Sequence, residues 1–391
     1  MDLKIFAKNI DEKSVGQIYE LLAQPAFKDA KVRIMPDVHA GAGCVIGFTA
    51  DLGNKVIPNV VGVDIGCGMH VVEFGKIDID LEQLDEFIKA NIPAGFAVNA
   101  KSQYPFDFDD LHCYNKLQNV NRLALGIGSL GGGNHFIEVD VDESDNKYLV
   151  IHTGSRNLGK QVACIYQDLA IDYCRNLKKP LLEAKIKELK AQGKQLEIND
   201  EIAKINKEFE QYSVPKDLCY LEDILREHYL HDMRLCQLYA VYNRYCIANK
   251  IKAFLNAKDA FEWECMHNYI DDYNIVRKGA IAAHKGKKVI IPLNMRDGSI
   301  IGIGKGNPEW NESGPHGAGR ILSRSQAKKE LNVDEFKKQM DGIYTTTANE
   351  STIDESPMAY KPIDDILDVI EPTVDVISII KPIYNFKAGE E

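Results

Sequence analysis

The sequence predicts an α+β fold, with a mixed β-sheet core built from both ends of the chain and a helical insertion over about residues 160–257. Three observations carry this. Short runs rich in Val and Ile, bounded by Gly and Pro, fill the first third of the chain in the pattern of strands and turns. A charge-rich stretch with Leu and Ile near helical spacing occupies the middle. Strand-like runs return after it, so both ends are expected to share one core and residues 1–391 to form a single domain.

Taken in order, KVRIMPDVHAG, VIGFTADLG and VIPNVVGVDIGCGMHVVEFG read as strands, and KYLVIHTGS repeats their style. Within the insertion, KKPLLEAKIKELKAQGKQLEINDEIAKINKEFEQY reads as a projecting helical pair, solvated on one side. KGAIAAHKGKKVIIPLNMRDGSIIGIG returns to strands, a helical tail follows from about Ser325, and VDVISIIKPIYNFK closes the chain as a strand.

Composition narrows the function classes. The chain is 45% hydrophobic and 27% charged, which is ordinary for a globular protein. No apolar run approaches the roughly 18 residues that cross a bilayer, and MDLKIFAKNIDEK carries charges where a signal peptide is apolar. A cytoplasmic protein with no membrane partner is expected. Nine cysteines, odd in number and without CxxC spacing, suggest neither a disulfide framework nor a zinc ribbon. The net charge of −11 speaks against a non-specific nucleic-acid binder, although a local basic groove is compatible with it.

Five segments set a His, Cys or Asp among glycines or at a strand end. In Val63-Asp64-Ile65-Gly66-Cys67-Gly68, glycines let the backbone turn sharply enough to aim Asp64 and Cys67 at one point. A carboxylate and a thiolate can hold a divalent cation, and a thiolate can bridge two; a tight turn with a buried thiol explains the same pattern. Gly131-Gly132-Gly133-Asn134-His135 could cradle a phosphate on its backbone N–H groups, or simply form a hairpin turn. His152 ends the run Tyr148-Leu149-Val150-Ile151, and His267 follows Trp263-Glu264-Cys265-Met266. Either, taken singly, reads best as a hydrogen-bonded core histidine. His228 and His231 lie three apart on a predicted helix, where a surface or core role is the simpler reading, and His39 in PDVHAG stays unassigned. His316 is different: Gly314, Gly317 and Gly319 surround it, Pro315 precedes it and Arg320 follows one helical turn later. An imidazole nitrogen there can attack a nucleoside triphosphate, with the guanidinium offsetting charge on the transferred phosphoryl group. A glycine-rich turn is the alternative.

VGVDIGCGM, LGGGNHFIEV, HTGSRNLG, the His267-Asn268 pair, KGNPEW and HGAGR, in that order, resemble the RtcB family of RNA-splicing ligases. The resemblance spans nearly the whole chain, from MPDVHAG to KPIYNFK, and fits a divergent bacterial-type member. It implies two Mn²⁺ ions per chain bridged by Cys67, with Asp64 and His135 completing one site and His152 and His267 the other. It further implies that His316 takes GMP from GTP, with Arg320 acting on the phosphate. Asn134, His135, Phe136, Glu138 and Asn268 would line the guanylate. So would Pro292, Leu293, Asn294, Met295 and Ser299, and Gly317, Ala318 and Gly319 beside His316. Tyr360 and Lys387 would contact the base, and Arg156 an RNA phosphate. The implied reaction opens a 2′,3′-cyclic phosphate to a 3′-phosphate, activates it with GMP, and lets a 5′-hydroxyl displace the GMP. Expected partners are RNA with broken ends, GTP and, as an open option, an archease-type activator.

One departure stands out. The family's ligases carry Gly-Ser-Met-Gly where this chain has Pro292-Leu293-Asn294-Met295-Arg296-Asp297. Leu293 in place of Gly removes backbone freedom, and Asn294 enlarges a hydroxyl to an amide. Residues before His316 are Gly314-Pro315 rather than the more usual Cys-Ser. An RNA end-processing phosphoesterase that does not seal, or a non-catalytic RNA-binding relative, therefore stays open at this point.

Overall fold

The computed structural model describes residues 2–211 and 214–389. Two sheets organise it. The larger has seven strands in the spatial order Lys288–Asn294, Gly298–Gly304, Val374–Lys387, Phe136–Val141, Lys147–Thr153, Gly68–Gly75, Phe261–Met266, with every neighbouring pair antiparallel. The smaller has five strands in the order Asp2–Ile5, Lys31–His39, Ile46–Asp51, Ile275–Lys278, Asn268–Ile270; only its first pair is parallel. The mixed α+β core predicted from the sequence is present. Its terminal strand Val374–Lys387 sits mid-sheet beside Phe136–Val141, so the two ends of the chain do share one sheet.

The helical insertion lies close to the expected bounds, and only part of it is solvated. Its first helix starts at Arg156 and its last ends at Phe254. Lys178–Ala191 and Ile198–Gln211 form the projecting pair, joined by the short turn Gln195–Glu197. Leu189 is the one buried residue of the first helix, and no described residue of the second is buried. Tyr212, which ends the predicted stretch, lies outside the described residues. The 32-residue helix Asp223–Phe254 is not solvated in this way. It buries Tyr229, Met233, Tyr239, Asn243, Arg244, Ile247 and Ile251, and packs on the helix Arg156–Asn176 and the strand Lys147–Thr153. Its low amphipathicity follows from packing on more than one side.

Two further expectations are corrected. VIPNVVGVDIGCGM is not one strand: Pro58–Val61 makes a helical turn with Pro58 at its first position, closed by Gly62 at φ +91°, and the strand begins only at Gly68. Proline presets the helical φ, and a left-handed glycine ends the turn. The predicted helical tail is broken into three seven-residue helices, Arg324–Glu330, Val333–Gln339 and Asp364–Ile370, separated by tighter turns. Ser323 and Asn332 cap the first two with their side chains, which supports helices too short to stand alone. Among the described residues, no helix is long and apolar enough to cross a membrane.

Candidate metal centre and nucleotide pocket

One edge of the large sheet collects four chemically active side chains. Cys67 immediately precedes the strand Gly68–Gly75 and His135 precedes Phe136–Val141, whereas His152 lies at the end of Lys147–Thr153 and His267 follows Phe261–Met266. Antiparallel register brings these ends together: Gly68 pairs with both Thr153 and Met266, and His152 with both Met69 and Phe136. Backbone bonds fix the turn, with Gly66 N–H donating to Asn268 O (2.8 Å) and His267 N–H to Cys67 O (2.9 Å). Gly154 is needed at this place, because a Cβ there would lie 2.1 Å from Asp64 Oδ1.

Cys67 Sγ lies 3.1 Å from His152 Nε2 and 3.6 Å from His135 Nε2; His152 Nε2 is 3.4 Å from His267 Nε2, and His135 Nε2 is 3.1 Å from Asp64 Oδ2. Two donor sets result, Asp64–Cys67–His135 and Cys67–His152–His267, sharing the one sulfur. His135 Nδ1 donates to Leu130 O and His152 Nδ1 to Asn134 O, each at 3.0 Å, which turns both Nε2 lone pairs inward. Arg156 Nη1, 3.4 Å from that His135 Nδ1, then faces a nitrogen already committed as a donor, and the shorter contact decides. Burial holds His152 and His267 well below the ordinary imidazole range, so both are neutral and able to ligate. Burial, reinforced by the Asp64 carboxylate, pushes the Cys67 thiol well above its usual value. Inward-facing lone pairs around a thiol that only nearby positive charge would ionise form a set suited to divalent cations.

His316 stands next to this cluster, its ring centroid 4.9 Å from that of His267. Its Nδ1 lies 2.7 Å from Asp37 Oδ2, and the same oxygen accepts from the backbone N–H groups of His316 (3.1 Å) and Gly317 (3.2 Å). Asp37 is fully buried on the strand Lys31–His39. With Nδ1–H held by a carboxylate, Nε2 carries the lone pair and the tautomer is fixed. The sequence reading missed Asp37. It lies in PDVHAG, where attention fell on His39, whose Nδ1 bonds back to Asp37 O (3.0 Å).

A pocket of about 180 Å³ opens beside His316. Of the residues expected along the guanylate, Asn134, Phe136, Glu138, Pro292, Leu293, Asn294, Met295, Gly317, Ala318, Gly319, Tyr360 and Lys387 line it. His135 borders a neighbouring cavity instead. Asn268 braces backbone, donating to Asp64 O (3.3 Å) and accepting from Gly279 N–H (2.8 Å). Ser299 is wholly buried inside its strand, its hydroxyl without a hydrogen bond. The divergent loop is held by its own amide: Asn294 Oδ1 accepts from the backbone N–H groups of Arg296 (3.0 Å) and Asp297 (2.9 Å), while Leu293 and Met295 point into apolar packing.

The far wall is an ionic cluster with no sequence signal. Glu355 is 2% exposed and receives Arg320 Nη1 (3.2 Å), Arg324 Nη2 (3.4 Å), Lys387 Nζ (3.2 Å) and the Tyr360 hydroxyl (2.5 Å). Burial opposes its ionisation, but Lys387, Arg324 and Arg320 outweigh it and hold the carboxyl down at about 2. Arg320 directs its guanidinium into this wall, also bonding Leu322 O (3.0 Å) and Asp354 O, and its charge lies 5.0 Å from the Tyr360 ring centroid. Lys387 lies 5.3 Å from the Phe136 ring centroid. Glu138, buried beneath them, is pushed up to about 7 by burial against the pull of Lys387 and its hydrogen bond to Asn385.

On the other side of the Cys67 cluster, Arg122, Arg156, Lys160 and Arg324 border a cavity with Gly132 and Gly133. This is a local basic groove on an acidic protein. Arg156 reaches it through the gap left by Gly131, where a Cβ would lie 1.7 Å from Nη1. A second residue missed in the sequence supports the whole centre from behind: fully buried Arg244 donates to Gly66 O (2.8 Å) and Thr153 O (2.7 Å), tying the Cys67 turn to the end of the His152 strand.

The tRNA-splicing ligase RtcB family model matches residues 17–120 and 114–388. The RNA-splicing ligase RtcB1 of Escherichia coli is 29% identical, with 93% of this chain and 92% of the relative covered. The tRNA-splicing ligase RtcB of Methanococcus maripaludis is 26% identical over 94% of this chain and 89% of its own. A second Escherichia coli protein, RNA-splicing ligase RtcB2, is 25% identical over 97% and 93%. With a family model covering almost its entire length, the chain belongs to the RtcB family of RNA-splicing ligases.

Proposed function

We propose that this chain is a GTP-dependent RNA ligase that joins 2′,3′-cyclic phosphate or 3′-phosphate ends to 5′-hydroxyl ends through a guanylylated His316. The observation that carries this reading is the contact of His316 Nδ1 with buried Asp37, beside a Cys67-centred donor set and in the wall of a pocket it shares with Phe136, Glu138, Tyr360 and Lys387. Asp64, Cys67 and His135 would hold one Mn²⁺, and Cys67, His152 and His267 a second. When bound, the pair would neutralise phosphate charge and orient attacking and leaving oxygens.

His316 Nε2 attacks the α-phosphorus of GTP; the N–P bond forms as the bond to pyrophosphate breaks. Asp37 keeps the Nδ1 proton in place and stabilises the positive charge that develops on the ring. Water opens the cyclic ester, the P–O2′ bond breaking as the 2′-oxygen takes a proton; a 3′-phosphate oxygen then attacks the phosphorus on His316, and the N–P bond breaks to free the imidazole. Finally the 5′-hydroxyl of the second RNA attacks the 3′-phosphate, a phosphodiester forms and GMP leaves. The wall of Phe136, Glu138, Tyr360 and Lys387 fits a guanine base, with Glu138 as acceptor for the base N–H groups. Arg122, Arg156, Lys160 and Arg324 fit the RNA backbone.

The test is covalent labelling. Wild-type protein incubated with radiolabelled GTP and Mn²⁺ takes up label, His316→Ala takes up none, and RNA halves with 2′,3′-cyclic phosphate and 5′-hydroxyl ends become joined. Label without joining would reduce the activity to end processing. Absence of label on the wild type would overturn the proposal.

A further inference from the structure

Away from the sheet edge, a second group of histidines converges where the loop around His112 meets the long helix Asp223–Phe254. One ligand atom from each of His112, His231 and Asp232 lies within 4.8 Å of the others. We propose that His112, His231 and Asp232 form a separate site for a single divalent transition-metal ion of the Zn²⁺ class, which ties this loop to the helix.

Four features argue for a built site. His231 Nδ1 and Asp232 Oδ1 are 3.2 Å apart, close to the about 3.3 Å expected between two ligands of a tetrahedral ion with bonds near 2.0–2.1 Å. Asp232 is fully buried and held in place by the backbone N–H groups of His112 (2.9 Å) and Cys113 (3.0 Å) and by the Tyr166 hydroxyl (2.7 Å), so its carboxylate is preorganised. The ring of His112 is fixed against His228, with centroids 3.9 Å apart and planes 21° from parallel, and sits 4.8 Å from the ring of His231. On the opposite edge of His231, Nε2 lies 3.7 Å from Asp110 Oδ2, a carboxylate near enough to take up the ring proton once an ion displaces the one that Nδ1 donates to Asp232. His112 is exposed, which leaves the remaining coordination position open to water. Two imidazoles and one carboxylate suit Zn²⁺ over Mg²⁺ or Ca²⁺.

The site has a structural consequence. The His112 loop leads into the short helix Val120–Gly126, whose Arg122, Leu123 and Gly126 border the basic cavity next to the Cys67 cluster. An ion between His112 and His231 would restrain the approach to that wall without touching the reacting atoms. This inference does not depend on the proposed ligase chemistry.

The experiment compares the full chain with His112→Gln/His231→Gln, and with His231→Gln alone as a milder variant. Each is dialysed against Zn²⁺ and its metal content per chain measured, and crystals are examined by anomalous scattering at the zinc edge. Wild-type protein is expected to hold one equivalent more than the double variant, with an anomalous peak between His112 and His231. Its thermal midpoint should rise with Zn²⁺ by more than that of either variant, while all three coincide in EDTA, which would show that the variants fold. Equal metal content in wild type and variants, or a zinc peak confined to the Cys67 cluster, would overturn the proposal.

Discussion

The imidazoles of the Cys67 cluster and the imidazole of His316 are neighbours, yet the groups behind them differ. His135 and His152 present Nδ1 to neutral backbone carbonyls, whereas His316 presents it to the buried carboxylate of Asp37. A carbonyl fixes a ring's orientation and leaves it a neutral ligand; a carboxylate also favours the positive charge that appears when the ring attacks. Within a few ångströms the same side chain is thus prepared for two tasks, and the atom behind the ring makes the choice.

The sharpest way to break this comparison is Asp37→Asn. The amide keeps the shape but cannot stabilise an imidazolium, and it can invert the tautomer. Guanylylation of His316 should fall by about 10²–10⁴-fold, as for carboxylates that orient catalytic histidines elsewhere, while the metal content at the Cys67 cluster stays unchanged. An equal loss of metal and labelling would mean that Asp37 supports the fold as a whole rather than His316.

Next in size is Glu355→Gln, which tests whether the ionic wall is held by its one carboxylate. Removing the charge would leave Arg320, Arg324 and Lys387 with weakened partners, and breaking a buried ion pair costs about 3–5 kcal/mol. The carboxyl is depressed in the folded state from 4.5 to about 2. Its contribution is therefore fully present above pH about 4.5 and lost as pH falls toward about 2. Chemical denaturation from pH 6 to pH 2 should show a steeper loss of stability for wild type than for the variant; parallel curves would rule out Glu355 as the group responsible.

The smallest effect concerns Glu138. Its folded value is raised to about 7, so the buried acid loses stabilising value as pH climbs from about 4.5 to about 7, and above that it is ionised at a cost to the fold. If the ionised form accepts guanine N–H groups, GTP affinity should rise several-fold between pH 6 and pH 8, and Glu138→Gln should flatten that profile. Titration calorimetry reads both. A profile unchanged by the substitution would remove Glu138 from base recognition.

The members of the Cys67 cluster stood out as candidates because they sit next to glycines or at the ends of apolar runs, where a strand must stop and the backbone must turn, but only the family resemblance grouped them. The HGAGR segment was legible for the same reason. Asp37 was not, since nothing in PDVHAG tells which side chain faces a histidine 279 positions away. Glu355 was equally silent: an acidic residue in DES reads as solvated until Arg320, Arg324 and Lys387 close over it. The insertion shows the same limit from the other direction. The charge-rich pair 178–211 was readable because one face meets water, whereas Asp223–Phe254, packed on several sides, carries no single apolar stripe from which its burial could be inferred.

The sequence by itself determined the order of strands and helices, the family and the residue types available for chemistry, because hydrophobic period, glycine placement and local spacing are properties of neighbours along the chain. Tertiary structure alone decided that Asp37 backs His316, that Glu355 anchors the pocket wall, and that His112 meets His231. Those are pairings between remote segments, fixed by sheet register and helix packing, and a charge's partner across a core has no signature in the residues beside it.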